Sequence, residues 1–258
     1  MQEILIEGSE KFGILGTKAE FEAEGTRVDE LLRLLEITAR ANLSFTLKIG
    51  GCEAVRDLIE AKQYGVDVIV APMIESPYAL QKFIDAKNKV FEPELQDRTK
   101  FLFNLETRVA FDQADALITT GKQENGVDGV VFGRVDYTGS MNQTRDTINT
   151  QQSTDDVLSI SQKCKENDLV LVVGGGVAEE AIPYLQQMNN LHLTKFETRK
   201  VVFDASLLST NNIEDALKLA VEFELLWLQN KSDYYQSIIA EDAKRLEMLE
   251  ARFKILSR

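Results

Sequence analysis

The chain has 258 residues, 44% of them hydrophobic, and its 29 lysines and arginines stand against 42 aspartates and glutamates, a formal net charge of −13. That length suits one large α/β domain, and the apolar content excludes an intrinsically disordered chain. The acidic balance speaks against a nucleic-acid partner, though a locally basic pocket can still hold small anions.

Cys52 and Cys164 form no CxxC pair, and with a single histidine there is little to build a zinc site or a disulfide framework from. The opening MQEILIEGSEKF carries acids where a secretory signal needs a basic and then an apolar region. No apolar stretch is long enough to span a bilayer, so a soluble, cytoplasmic protein without membrane contact is expected.

In chain order, Gly13 to Ala23 reads as a strand and Val28 to Ala41 as a helix with a leucine-rich face. Phe45 to Ile49 is the next strand, ending at Gly50-Gly51, and Glu53 to Tyr64 is helical. Val66 to Met73 is a strand, and Ser76 to Val90 a helix with a serine cap and proline at its first position. Lys100 to Leu105 is a strand, Arg108 to Thr119 a helix, and Val127 to Gly133 a strand followed by a polar loop from Thr138 to Ser153. Asp155 to Glu166 is a helix, Leu169 to Val173 a strand, Ala178 to Met188 a helix and Phe196 to Phe203 the last strand.

From Ile213 the pattern is helical almost to the end. Regular strand–helix alternation with continuous apolar strands predicts a parallel sheet covered on both faces. At about 30 residues per unit, the expected fold is a (β/α)₈ TIM barrel forming one domain over residues 1–258. Seven strands are evident, and Glu3 to Ile6 is the candidate for the eighth; an open doubly wound sheet is the alternative. Residues 213–258 are longer than a barrel needs. Ile239, Leu246 and Phe253 recur every seven residues, as do Asp242, Leu249 and Leu256. That helix packs either on its own barrel or on a neighbouring subunit, and a homo-oligomer is expected.

Charges near the C-terminal ends of apolar strands require a reason, because that rim carries the active site of barrel enzymes. Asn104 and Glu106 share one strand face, and Asp136 lies in a glycine-bounded turn after the next strand. Two such carboxylates suit Mg²⁺ or Mn²⁺, which takes one or two protein carboxylates and leaves positions for substrate oxygens. The plainer reading is a helix cap and a turn. Lys18, Glu20 and Glu22 share a face of the first strand, Lys48 ends the second, and Glu197, Arg199 and Lys200 stand in the last. An inward salt-bridge layer, Lys18 and Arg199 against glutamates, would satisfy them without function. Gly174-Gly175-Gly176 follows a strand and is expected to open a helix, where exposed amides could cradle an anion.

The run VIVAPMIES (Val68 to Ser76), then FNLET (Phe103 to Thr107), then VDGVVFGRVDYTGSM (Val127 to Met141) resembles the HpcH/HpaI aldolase / citrate lyase beta-subunit family. The resemblance implies a (β/α)₈ barrel that makes or breaks carbon–carbon bonds with a divalent metal and an enolate. It implies Glu106 and Asp136 as metal ligands and Asn104 as a substrate-contacting amide. The turn Gly133, Arg134, Val135 would offer backbone amides to a substrate carboxylate. Lys48 falls where the family usually has an arginine steadying the enolate oxygen.

The family's histidine base has no counterpart between Glu22 and Arg27, and His192 is expected at the opposite rim. Glu20 or Glu22 is then the available base, with a metal-bound water as second candidate, while Lys48 and Arg199 supply positive charge. Arg134 beside Asp136 is a cation where the family has a small residue or proline, which points to a more anionic substrate. The expected function is a divalent-metal-dependent carbon–carbon lyase on a 2-oxo acid or related small carboxylate. A sugar-acid or phosphosugar barrel relying on Gly175, or a non-catalytic member, are the rival readings.

Overall fold

The computed structural model describes residues 1–257. The chain runs α1 (Gln2–Phe12), β1 (Ile14–Glu20), α2 (Val28–Arg40), β2 (Ser44–Lys48), α3 (Val55–Tyr64), β3 (Val68–Ala71) and α4 (Pro77–Val90). It continues with α5 (Pro93–Gln96), β4 (Lys100–Leu105), α6 (Arg108–Asp112), α7 (Ala114–Gly121), β5 (Gly129–Gly133) and α8 (Arg134–Ser140). It ends with α9 (Gln151–Glu166), β6 (Val170–Gly174), α10 (Ile182–Leu191), β7 (Lys195–Glu197), β8 (Val201–Asp204) and α11 (Ile213–Leu256). The eight strands close into a barrel in chain order, so the fold is the TIM-type barrel with a long C-terminal helix.

Two features depart from the expected layout. Glu3 to Ile6 is not a strand but the first part of α1, which buries Leu5 and Gly8 and ends at Gly13 in a left-handed conformation, φ 62°. The eighth strand comes instead from the stretch expected as one strand, Phe196 to Phe203. The chain reverses at Thr198, where the Thr198 N–H donates to Val201 O at 2.9 Å. β8 therefore runs antiparallel to both β7 and β1. Arg199 and Lys200 thereby occupy a hairpin tip at the open rim, where Arg199 is exposed and Lys200, though buried, is paired with Glu24.

Helix limits also shift. The expected helix from Arg108 divides into α6 and α7 at Gln113, and the polar loop from Thr138 is shortened because Arg134–Ser140 is helical. α9 begins at Gln151, capped by Thr150, whose side chain accepts from the Ser153 N–H.

The core has two parts. Side chains facing outward from the strands, such as Leu47, Ile69, Phe103, Val130 and Phe132, pack under the helices. Those facing inward fill the lower barrel with Val68, Val70, Leu102, Val131 and Val172. By the two-residue alternation, the next inward positions toward the strands' C-terminal ends are Lys18, Glu20, Thr46, Lys48, Asn104, Gly133, Gly174 and Glu197. The same strand faces thus turn from valine to charge at one level, and that level is the mouth of the barrel. Among the described residues no helix is long and apolar enough to cross a membrane.

Candidate active site

The mouth is built from ion pairs that cross between strands. Lys18 Nζ on β1 lies 2.5 Å from Glu197 on β7 and 3.2 Å from Glu20 on its own strand. Lys48 Nζ, at the end of β2, lies 2.9 Å from Glu22 and 3.3 Å from Glu106. Glu106 follows β4 and is 2% exposed. Its Oε1 accepts the Met73 N–H at 2.9 Å, and its Oε2 accepts from Lys48 and from the Asn104 side-chain amide. Met73 directs its N–H there from a left-handed conformation, φ 50°, at the turn after β3.

Glycines make room for these carboxylates. A Cβ on Gly133, at the end of β5, would stand 2.8 Å from Glu106 Oε2 and 2.9 Å from Glu106 Cβ. A Cβ on Gly174, at the end of β6, would stand 3.0 Å from Glu197 Oε1. Each strand end lacks a side chain where its neighbour's glutamate lies across it.

Burial works against the Lys18 ammonium, yet Glu197 and Glu20 outweigh it and hold its pKa above the usual lysine range. Burial likewise opposes the Lys48 ammonium, and Glu106 followed by Glu22 raises its pKa. Glu20 is held below the ordinary carboxylate range because Lys18 and then Lys48 overcome the opposing burial. Asp136 moves the other way: partial desolvation, then the negative charge of Glu106, raises its pKa, with Lys48 opposing. Asp136 therefore shares the electrostatic environment of Glu106, Lys48, Glu22 and Glu20.

Two lysines, Lys18 and Lys48, face five carboxylates in this group, counting Glu20, Glu22, Glu106, Asp136 and Glu197. Asn104 Oδ1 is buried and has no hydrogen-bond partner among the described residues. Among the described residues no three His, Cys, Asp or Glu side chains converge as a preformed metal cage. An all-oxygen set with excess negative charge nevertheless fits a hard divalent cation, which needs only one or two protein carboxylates. Glu106 and Asp136, which follow the consecutive strands β4 and β5, are the carboxylates that could hold it. A small enclosed cavity of about 20 Å³, room for one water, lies beneath and is lined by Lys18, Thr46, Lys48, Asn104 and Glu197.

The other sequence candidates sit elsewhere around the rim. Arg199, at the β7–β8 hairpin tip, is largely exposed and pairs with Glu24 at 3.1 Å, and Lys200 pairs with the same carboxylate. The anticipated salt-bridge layer therefore takes Lys18 inward and leaves Arg199 outside. Arg134 is fully buried and does not enter the mouth. Its guanidinium donates to Asn149 Oδ1 at 3.1 Å and to Gly176 O at 3.2 Å. Burial lowers its pKa to about 10, and no carboxylate joins it among the described residues.

The leading N–H groups of α8 have no intrahelical acceptor. A Cβ on Gly175 would press to 2.8 Å from Val135 N and 3.1 Å from Arg134 N, so only glycine lets the loop approach those amides this closely. Gly175 and Gly176 have φ of 83° and 62°. The triplet does not open a helix, because α10 begins only at Ile182 after a short 3-10 turn at Glu179–Ala181. That removes the helix dipole from the expected anion cradle. His192 bonds Leu169 O at 2.9 Å ahead of β7, at the opposite rim. Cys52 and Cys164 are both free thiols.

Sequence reasoning missed the Met73 N–H as an anchor of Glu106, and the Pro72-Met73 break after β3 was the signal available for it. A closed eight-stranded barrel whose mouth holds two lysines among carboxylates defines the class as an α/β barrel with a charged mouth. The model of the HpcH/HpaI aldolase/citrate lyase family matches residues 22–198, more than half of the sequence, and the chain belongs to that family.

Among solved structures, an HpcH/HpaI aldolase/citrate lyase family protein from Burkholderia cenocepacia J2315 superposes with a TM-score of 0.62 at 12% identity, covering 89% of this chain and 91% of its own. A variant of the citrate synthase SbnG gives 0.56 at 13% identity, over 90% of this chain and 89% of that one. RipC from Yersinia pestis gives 0.50 at 14%, over 77% and 86%. At these identities the likeness is one of fold. No curated protein matches the chain in sequence.

Proposed function

We propose that the chain is a divalent-metal-dependent carbon–carbon lyase acting on a 2-oxo acid or related small carboxylate through a stabilised enolate. Membership of an aldolase and citrate lyase family supports the lyase class. The observation that carries the finer reading is Glu106, which shares the Lys48 ammonium with Glu22 and raises the pKa of Asp136 across the mouth.

Glu106 and Asp136 would hold the cation, with Mg²⁺ the expected ion and Mn²⁺ its substitute. When bound, such an ion supplies Lewis-acid polarisation of carboxylate and carbonyl oxygens. The α8 amides of Arg134 and Val135 receive the substrate carboxylate. Lys48, kept charged by its glutamates, places a fixed ammonium where enolate charge develops, and the Asn104 side chain orients the bound acid. The proton acceptor in this reading is Glu22, two residues beyond the end of β1. Glu20 is locked to Lys18 with a depressed pKa, whereas Glu22 is one of the more exposed carboxylates of the group, at 27%, and meets only Lys48.

Exchange of the methyl protons of pyruvate in D₂O with Mn²⁺, followed by NMR, tests this directly. Glu22→Gln should slow exchange about 10²–10⁴-fold while leaving Mn²⁺ affinity close to that of the parent, and Glu106→Gln should lose both. Exchange at the parent rate in Glu106→Gln would remove the cation from the scheme.

A further inference from the structure

The last helix ends in a segment that its own barrel leaves uncovered. α11 climbs the barrel wall with Ala216, Ala220, Phe223 and Trp227 buried. Higher up, Glu224 accepts from Thr198 Oγ1 at 2.7 Å and from the Lys200 N–H at 3.0 Å, and Tyr235 donates to Glu30 at 2.6 Å. Those partners lie in the hairpin tip after β7 and the first turn of α2, both at the open rim. Residues 236–256 therefore run on past the mouth, about 30 Å at 1.5 Å per residue. An isolated helix of that length is marginal in water, so its apolar residues call for a partner.

The spacing names that partner's shape. Ile239, Leu246 and Phe253 fall at heptad position a, and Asp242, Leu249 and Leu256 at d. All five apolar members are more than half exposed. We propose that residues 239–256 form a parallel two-stranded coiled coil with the same segment of a second copy of this chain.

Ile239 at a with Leu249 and Leu256 at d fits the two-stranded preference, while Leu246 and Phe253 at the other a positions are apolar without being β-branched. In the parallel arrangement Arg245, at g, faces the partner subunit's Glu250, at e of the next heptad. An antiparallel one would instead set g against g, bringing arginines 245 and 252 of the two copies together. Asp242 is the one polar seam residue. It lies 4.0 Å from Arg245 Nη1, and it fixes register at a cost in stability. The seam is also clear of the barrel: Ile239 is twelve residues beyond Trp227, about 120° round the helix, so the two barrels point apart.

Light scattering on the full chain should give twice its 29.0 kDa mass. Leu249→Asp should raise the dissociation constant at least about 100-fold, and Asp242→Leu should lower it at least about tenfold; both follow from the seam positions and leave the barrel untouched. In a Cys52→Ser background, a Gly-Gly-Cys tail should cross-link the two copies on oxidation. A monomer at 100-fold the working concentration of about 1 μM, a dimer indifferent to Leu249→Asp, a larger assembly, or a dimer whose tails never cross-link would each overturn the proposal.

Discussion

Gly133→Ala separates the geometry of the mouth from its chemistry. The added Cβ would stand 2.8 Å from Glu106 Oε2 and 2.9 Å from Glu106 Cβ. The carboxylate end could swing away, but the Cβ of a residue anchored directly after β4 cannot. Glu106 must then withdraw from Lys48, Asn104 and the Met73 N–H together. Overpacking of a tight site costs about 1–3 kcal/mol, which for a domain of this size lowers Tm by roughly 2–10 °C. If Glu106 holds the cation, displacing it should weaken Mn²⁺ binding about 10–100-fold, as loss of a ligand's supporting contacts does.

Gly139→Ala is the matched control. A Cβ there meets nothing within 4 Å, and it should raise stability by about 0.5–1 kcal/mol through helix propensity alone. Calorimetric titration with Mn²⁺ and thermal melts of both variants decide the matter. A Gly133→Ala protein that binds Mn²⁺ as the parent does, at unchanged Tm, would refute the close approach on which the site is argued.

Gly174→Ala should be milder than Gly133→Ala, since its Cβ first meets the far end of the Glu197 side chain at 3.0 Å; a larger loss of Tm than at 133 would contradict this. Lys18→Met leaves Glu197 and Glu20 without their shared cation and should cost about 3–5 kcal/mol. Acid neutralises the stranded carboxylates, so melts at falling pH should show the deficit shrinking.

Lys87 gives the opposite test at the bottom of the fold. It is 2% exposed, bonds Asn88 and Gln96 and stands over the Phe101 ring, and burial lowers its pKa to about 8. Between that value and the ordinary lysine pKa the unfolded chain holds a proton that the native state has shed. Stability should therefore rise with pH through this window, by up to about 3 kcal/mol. Lys87→Met should lack that rise, and parallel pH profiles for parent and variant would refute the assignment.

How far the sequence could be read depended on whether a signal was carried along one strand or between strands. The change from Val131 to Gly133 and from Leu102 to Asn104 on inward faces follows from the two-residue alternation, whereas the barrel was legible from about 30 residues per strand–helix unit, with an open sheet as its alternative. The β7–β8 reversal left no such mark: its tip, Thr198-Arg199-Lys200, has neither glycine nor proline. Four residues such as Glu3 to Ile6 fit a strand or a helix equally well, and only Leu5 and Gly8, packed on one side of α1, decide it.

Arg134 shows the limit most clearly. Two residues before Asp136 it reads as a neighbouring charge, but α8 starts at Arg134 itself, and two helical steps turn a side chain through about 200°. The aspartate faces the mouth while the guanidinium goes behind the turn to the Asn149 and Gly176 oxygens. It then tethers the loop that keeps Gly175 against the α8 amides. A residue that in sequence looked like a charge beside Asp136 is, in the fold, a brace between the start of α8 and the loop after β6.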